Sequence, residues 1–256
     1  MSDTQKNIGE TGQAEDTEAL FNPKDINRLT GGGYTVRTKQ YIVQGWRLFL
    51  TNPGPFLIYA AIVVGFNILV DIMPRATGAI GPITAIFIGA IFLFPFLMGI
   101  FIAAAKKMKG RETEFRDFFK GFDYFAPLSL AGIMVHAIIG APMFAAYLLT
   151  INFQSFEYSL VSLALLILSV YCAVAYLFAG MLVIDRGMKP WQAMEASRKI
   201  ITRNWGSFFI LAAALLVFEV AGALLLIVGL IPATAINVCI LTVAYDDVVG
   251  LTSTDF

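Results

Sequence analysis

The chain has 256 residues, 58% of them apolar and 14% charged, with 18 Lys and Arg balancing 18 Asp and Glu. Charged residues make up about 25% of an ordinary soluble domain, so the composition excludes that class, and zero net charge gives no basic balance for nucleic acid. One histidine and two cysteines are too few for bis-histidine haem ligation, a multi-histidine iron site or a zinc cluster.

Residues 1–33 carry Asp3, Glu10, Glu15, Asp16, Glu18 and Asp25 against Lys6, Lys24 and Arg28, a net charge of −3, and end in Gly31-Gly32-Gly33. They hold no apolar h-region of the kind a signal peptide has. The composition predicts a mostly disordered, acidic cytoplasmic tail, with Ala19 to Leu29 as its one candidate helix.

Beyond the tail one construction recurs three times: a charged amphipathic stretch, a short break, then a pair of apolar spans. The breaks are Asn52-Pro53-Gly54-Pro55-Phe56, Gly121-Phe122-Asp123-Tyr124-Phe125 and Asn204-Trp205-Gly206-Ser207-Phe208. The apolar runs lie near 56–73, 81–105, 126–149, 160–184, 207–231 and 233–249, each long enough to cross ~30 Å of hydrocarbon as a helix or close to it. The expected fold is therefore all-α. It is a polytopic membrane domain over 34–250 with six transmembrane helices in three hairpins, each preceded by a cytoplasmic interfacial amphipathic helix. The repeat units run about 34–108, 109–184 and 185–249. A shift of 152 places 52–61 on 204–213 with six of ten residues identical, whereas the second unit is placed mainly by architecture.

Lys and Arg of short loops are retained on the cytoplasmic side. Six precede the first span, six separate the second from the third, and five separate the fourth from the fifth; the opposite loops hold only Arg75. The 17-to-1 split predicts both termini in the cytoplasm.

In 35–51, Tyr41, Ile42, Trp46, Phe49 and Leu50 share a face away from Arg37, Lys39 and Arg47. In 112–124, Phe115, Phe118, Phe119 and Phe122 do so beside Arg116 and Lys120, and in 190–204 the stripe is Trp191, Met194, Ser197 and Ile201. Such helices lie in the headgroup plane, aromatic face down. The lipid-facing candidates are Trp46, Arg47, Lys106, Lys107, Lys109, Arg111, Trp191, Arg198, Lys199, Arg203 and Trp205. Cations there add about 1 kcal/mol each near an anionic surface; alternatively they only set topology and the helices only collar the bundle.

Eleven residues on from each break phenylalanine stand Asn67, His136 and Glu219, all polar, and Asn237 falls at similar depth in the last span. At 1.5 Å per residue the first three sit ~16 Å into the bilayer. An ionisable group at that depth faces a partner or a cavity. The four residues are expected to meet in the bundle, either as interhelical glue or as a permease site. Pro95 and Pro142 lie within spans, with neighbouring groups expected to satisfy the carbonyls they free, and Asp71 and Arg75 are expected to pair at the outer end of span one.

Cys172 and Cys239 lie in apolar spans and read as small buried hydrophobes. No phosphate-binding or dinucleotide glycine motif occurs, and no nucleophile motif accompanies His136. Asp246-Asp247, as helix neighbours, diverge by about 100° and do not face each other. No catalytic residue, metal site or cofactor is expected.

Lys120-Gly121-Phe122, Val183-Ile184-Asp185-Arg186-Gly187, Pro190-Trp191-Gln192-Ala193, Ser197-Arg198, Asn204-Trp205-Gly206 and Ala244-Tyr245-Asp246-Asp247 resemble a broad group of poorly characterised bacterial six-span membrane proteins. The same type of domain forms the membrane part of some glycerophosphodiester phosphodiesterases. The resemblance implies an all-helical protein of the bacterial inner membrane. Asp246 stands where the family usually has a basic residue, and the phosphodiesterase activity of those relatives is not expected to carry over. The leading functional expectation is a non-enzymatic membrane protein that organises lipid, anionic headgroups included, or a membrane partner or second copy of itself. The alternatives are a small-molecule or lipid-like permease and an accessory subunit of a membrane complex.

Overall fold

The computed structural model describes residues 34–77, 82–152 and 155–252, with the side chains at 73–86 and 226–227 outside the description. The acidic tail, its candidate helix and the Asp71–Arg75 pair thus lie outside the described residues in whole or in part. Every regular element described is helical: α1 Thr38–Leu50, α2 Pro53–Thr77, α3 Pro82–Met108, a 3₁₀ segment Phe115–Tyr124, α4 Phe125–Asn152, α5 Phe156–Ala175, α6 Ala179–Asp185, α7 Pro190–Arg203, α8 Trp205–Leu224 and α9 Leu226–Val248. Six helical stretches are long and apolar enough to cross a membrane, and the protein is an all-α, multi-pass membrane protein.

Helices α3 and α9 form the centre. Within their spans 56% and 61% of the best apolar window is buried, against 22–33% in the other four. Around them the long, apolar outer faces of α4, α5 and α8 stay exposed, as lipid-facing surfaces do, with Phe144, Ile167 and Val217 all more than 60% exposed.

Close contact in the core comes from missing side chains, since small residues let backbones approach where lipid gives helices no hydrophobic reason to associate. A Cβ on Gly45 of α1 would lie 2.6 Å from Ile240 Cα of α9. One on Gly99 of α3 would lie 1.8 Å from the Phe118 carbonyl oxygen, and one on Gly121 would lie 2.2 Å from that of Pro95. The second stretch is therefore pressed backbone to backbone onto α3. It takes a 3₁₀ form, in which positions three apart eclipse, so Phe118 and Gly121 both face α3 and are buried.

Two breaks differ from expectation. The fifth span ends at Leu224 rather than near 231, and Pro232 falls inside α9. Gly222 and Gly229 allow the close turn, since a Cβ on either would lie 2.6 Å or 2.4 Å from the other's carbonyl oxygen. The fourth span is interrupted between α5 and α6. There Ser197 Oγ of α7 accepts from the Phe178 amide at 3.2 Å and donates to the Ala175 carbonyl at 2.8 Å, closing both groups that the break frees.

Candidate functional site

The charged segments converge at one end of the bundle. Arg37, immediately before α1, reaches Asp247 of α9 at 2.8 Å, and the Tyr41 hydroxyl of α1 donates to the same carboxylate at 2.5 Å. Burial first, then this bond to Asp247, push Tyr41 up to about 12. The Tyr34 hydroxyl donates to the Ile200 carbonyl, and Asn204 Nδ2 donates to the Tyr34 carbonyl at 2.9 Å. Two of the motifs carrying the family resemblance meet here. Tyr245 donates to the buried Asp185 at 2.8 Å, Arg186 donates to the Val249 and Gly250 carbonyls, and Thr252 N donates to Asp185 at 2.9 Å. Asp246 accepts from the Leu251 amide at 3.0 Å.

The segments that precede each pair of spans bury more than a headgroup-plane reading predicts. Tyr41 and Phe49 of α1, Phe118 of the 3₁₀ segment, and Met194, Ser197 and Ile201 of α7 are buried in protein. Trp46 (44% exposed) and Trp191 (61%) remain outward, with Arg47, Arg111, Lys199 and Arg203 exposed beside them. Lys107 and Lys109 are half-buried. Lys106 is not lipid-facing, because its ammonium sits 2.6 Å from Asp117, a carboxylate 2% exposed that also takes Lys120 at 3.3 Å and the Glu114 amide at 2.8 Å. Arg198 and Lys199 pair with Glu195 at 2.7 and 3.4 Å, and the Arg198 bond chiefly holds that carboxyl below its usual range. Trp205 is half-buried and stacked on Phe209, with ring centroids 5.1 Å apart.

A polar group does form between α2, α3, α8 and α9. Asn237, at the midpoint of α9, donates its side-chain amide to Glu219 Oε1 of α8 at 3.0 Å and to the Leu215 carbonyl at 3.1 Å. The Thr234 hydroxyl also bonds Glu219. Glu219 and Thr234 line a cavity of about 340 Å³ together with Asn67, whose amide donates to its own Val63 carbonyl at 2.9 Å. At ~30 Å³ per liquid water, that volume holds about ten waters. Asn237 is buried, and its side-chain oxygen has no hydrogen-bond partner among the described residues.

His136 stands apart from this group. Its Nδ1 bonds the Gly132 carbonyl of its own helix at 2.8 Å, its ring meets Phe94 edge-on at 6.4 Å, and it does not line the cavity. α4 packs on the other side of α3, and equal depth does not fix which way a helix faces. Asp71 takes its place as the further titratable residue. It lines the same cavity, and its spacing of four from Asn67 puts both on one helix face, a signal present in the sequence. The lining residues hold two carboxylates, an amide and a hydroxyl, with no Lys or Arg among them.

Among the described residues no three His, Cys, Asp or Glu side chains gather in a group able to hold a metal ion. Cys172 and Cys239 are both buried thiols. No family model matches the chain, and no curated protein or solved structure matches it.

Proposed function

We propose that the protein is a non-enzymatic membrane permease or carrier whose bundle admits a small cationic solute to Glu219. The observation that carries this reading is the cavity of about 340 Å³ in which Glu219 and Asp71 both stand with no cation among the lining residues. Two carboxylates, the Asn67 amide oxygen and the Thr234 hydroxyl can accept hydrogen bonds, as an ammonium-type donor requires. A carboxylate inside a membrane bundle normally marks a solute or proton path, and walls of one charge raise the local counter-ion concentration. The cavity runs from Glu219 and Thr234 toward Asp71 and Leu230, near the end of the bundle away from the clustered cations. With the 17-to-1 Lys and Arg distribution, the reading places that end outside, both termini in the cytoplasm, and the protein in a bacterial inner membrane among the six-span group it resembles.

Calorimetric titration of the protein in nanodiscs with methylammonium and with acetate tests this. Binding of the cation alone, lost in Glu219→Gln, supports it; acetate binding, or cation binding unaffected by Glu219→Gln, overturns it.

The outward tryptophans Trp46 and Trp191, with Arg47, Lys199 and Arg203 beside them, favour a second reading in which α1 and α7 also organise anionic lipid. Flotation with vesicles lacking or containing anionic lipid separates it from a purely structural collar.

A further inference from the structure

Leu97 of α3 belongs to two cavities at once. On one side is the polar cavity of Glu219, Asp71, Asn67 and Thr234. On the other is a second cavity of about 200 Å³ between α3, α4, α5, α6 and α9, lined by Phe94, Met98, Val135, Ala173, Val238 and Leu241 among other residues, nearly all apolar. Along α9 the polar cavity takes Leu230 and Thr234, and the apolar one takes Val238 and Leu241. The two are therefore consecutive along the bundle, with the Leu97 side chain as the wall they share.

This cavity is partly open, with exposed Ala173 at its edge, and its apolar walls offer dispersion contacts to an apolar guest and almost no hydrogen-bond partners to water. Apolar cavities of about 150 Å³ stay dry and take up a benzene-sized molecule, so this one accommodates an aromatic ring or a short alkyl chain. Its neighbour supplies acceptors for a cationic head. Resting on the permease reading above, we propose that the solute is an amphiphilic cation. Its charged head sits at Glu219 and Asp71, and its apolar tail passes Leu97 into the cavity lined by Phe94, Ala173 and Leu241. The single leucine is the swinging wall: a change of rotamer joins the cavities when the tail enters and closes them when it leaves.

The test is calorimetric titration, in nanodiscs, with methylammonium, butylammonium and hexylammonium, and with neutral hexanol. The expected result is affinity that rises about fourfold per methylene and falls at least tenfold for every amine in Glu219→Gln. In Ala173→Phe, which fills the apolar cavity from its edge, methylammonium affinity is retained and the chain-length gain is lost. Methylammonium binding that depends on Glu219 but does not strengthen with chain length overturns the amphiphile and leaves the permease reading standing. Equal affinity for hexanol and hexylammonium, or a chain-length gain that persists in Ala173→Phe, also overturns the amphiphile. No amine binding that depends on Glu219 removes both. Size-exclusion profiles confirm the fold of each variant, and the slope in the unmodified protein decides the matter if Ala173→Phe does not assemble.

Discussion

Asn237 on α9 donates its side-chain amide to the Glu219 carboxylate on α8 at 3.0 Å, joining the two final spans inside the bundle. The same amide also serves the Leu215 carbonyl, so its orientation is set by two acceptors. Interhelical hydrogen bonds of this kind average about 0.6 kcal/mol and reach about 1.7 kcal/mol. In denaturant titrations from mixed micelles, Asn237→Ala and Glu219→Ala should each destabilise, with a double-mutant coupling of about 0.6–1.7 kcal/mol. Additive effects would show that the two side chains do not act together.

Pro95 has no amide hydrogen for the carbonyl four residues earlier, that of Ile91. Ser129 Oγ of α4 donates to that carbonyl at 2.8 Å, so α3 continues through the proline. Ser129→Ala should cost about 1–2 kcal/mol in the parent chain. In a Pro95→Ala background, where an amide is restored, the same change should cost close to nothing. An equal cost in both backgrounds contradicts the pairing.

Six spans were legible in hydropathy because a bilayer demands ~20 apolar residues per helix. Pro95's partner was legible only as a general expectation, since Ser129 is distant in sequence. The form of the second amphipathic stretch was hidden. Phe115, Phe118, Phe119 and Phe122 read equally well at helical spacing, and only contact with Gly99 and Pro95 on α3 selects the 3₁₀ form. Aligning the repeats gave His136 the depth of Glu219 but not its facing, so the alignment found two of the polar cavity's residues and misplaced a third. Asp71 was read from its position near a helix end, although its spacing from Asn67 carried the better signal. The burial of Asp117 was not legible, because nothing local shows that Lys106 of α3 reaches it.

Ser197 bridges the α5–α6 break, accepting from Phe178 N and donating to the Ala175 carbonyl. Ser197→Ala leaves both backbone groups buried without a partner, a loss of about 2–4 kcal/mol. Hydrogen exchange at the Phe178 amide should accelerate in this variant; unchanged protection there contradicts the bridging role.

Helix α1 is clamped to α9 through Asp247, and the Tyr41 hydroxyl in that clamp titrates at about 12, above its ordinary 10.0. A folded-state value raised this way means that the contribution is complete below pH 10 and is lost as pH rises through 12. Spectroscopic titration of the phenolates, followed with α1 proteolysis, should show α1 released in that window. Tyr41→Phe should abolish the alkaline step while leaving the Arg37–Asp247 pair; release at the same pH in the variant assigns the step elsewhere.

The central claim is that a polar, cation-selective cavity reaches Glu219. Thr234→Cys, in a chain also carrying Cys172→Ser and Cys239→Ala, places a thiol on the wall of that cavity. Its modification rates in sealed vesicles are compared for a cationic trimethylammonium-ethyl and an anionic sulfonatoethyl methanethiosulfonate. Two carboxylates in a cleft raise encounter with a cation at least about tenfold, so the cationic reagent should react about tenfold faster or more. That preference should vanish in Asp71→Asn/Glu219→Gln. A thiol that reacts with neither reagent until the protein is denatured, or with both at equal rates, contradicts the claim.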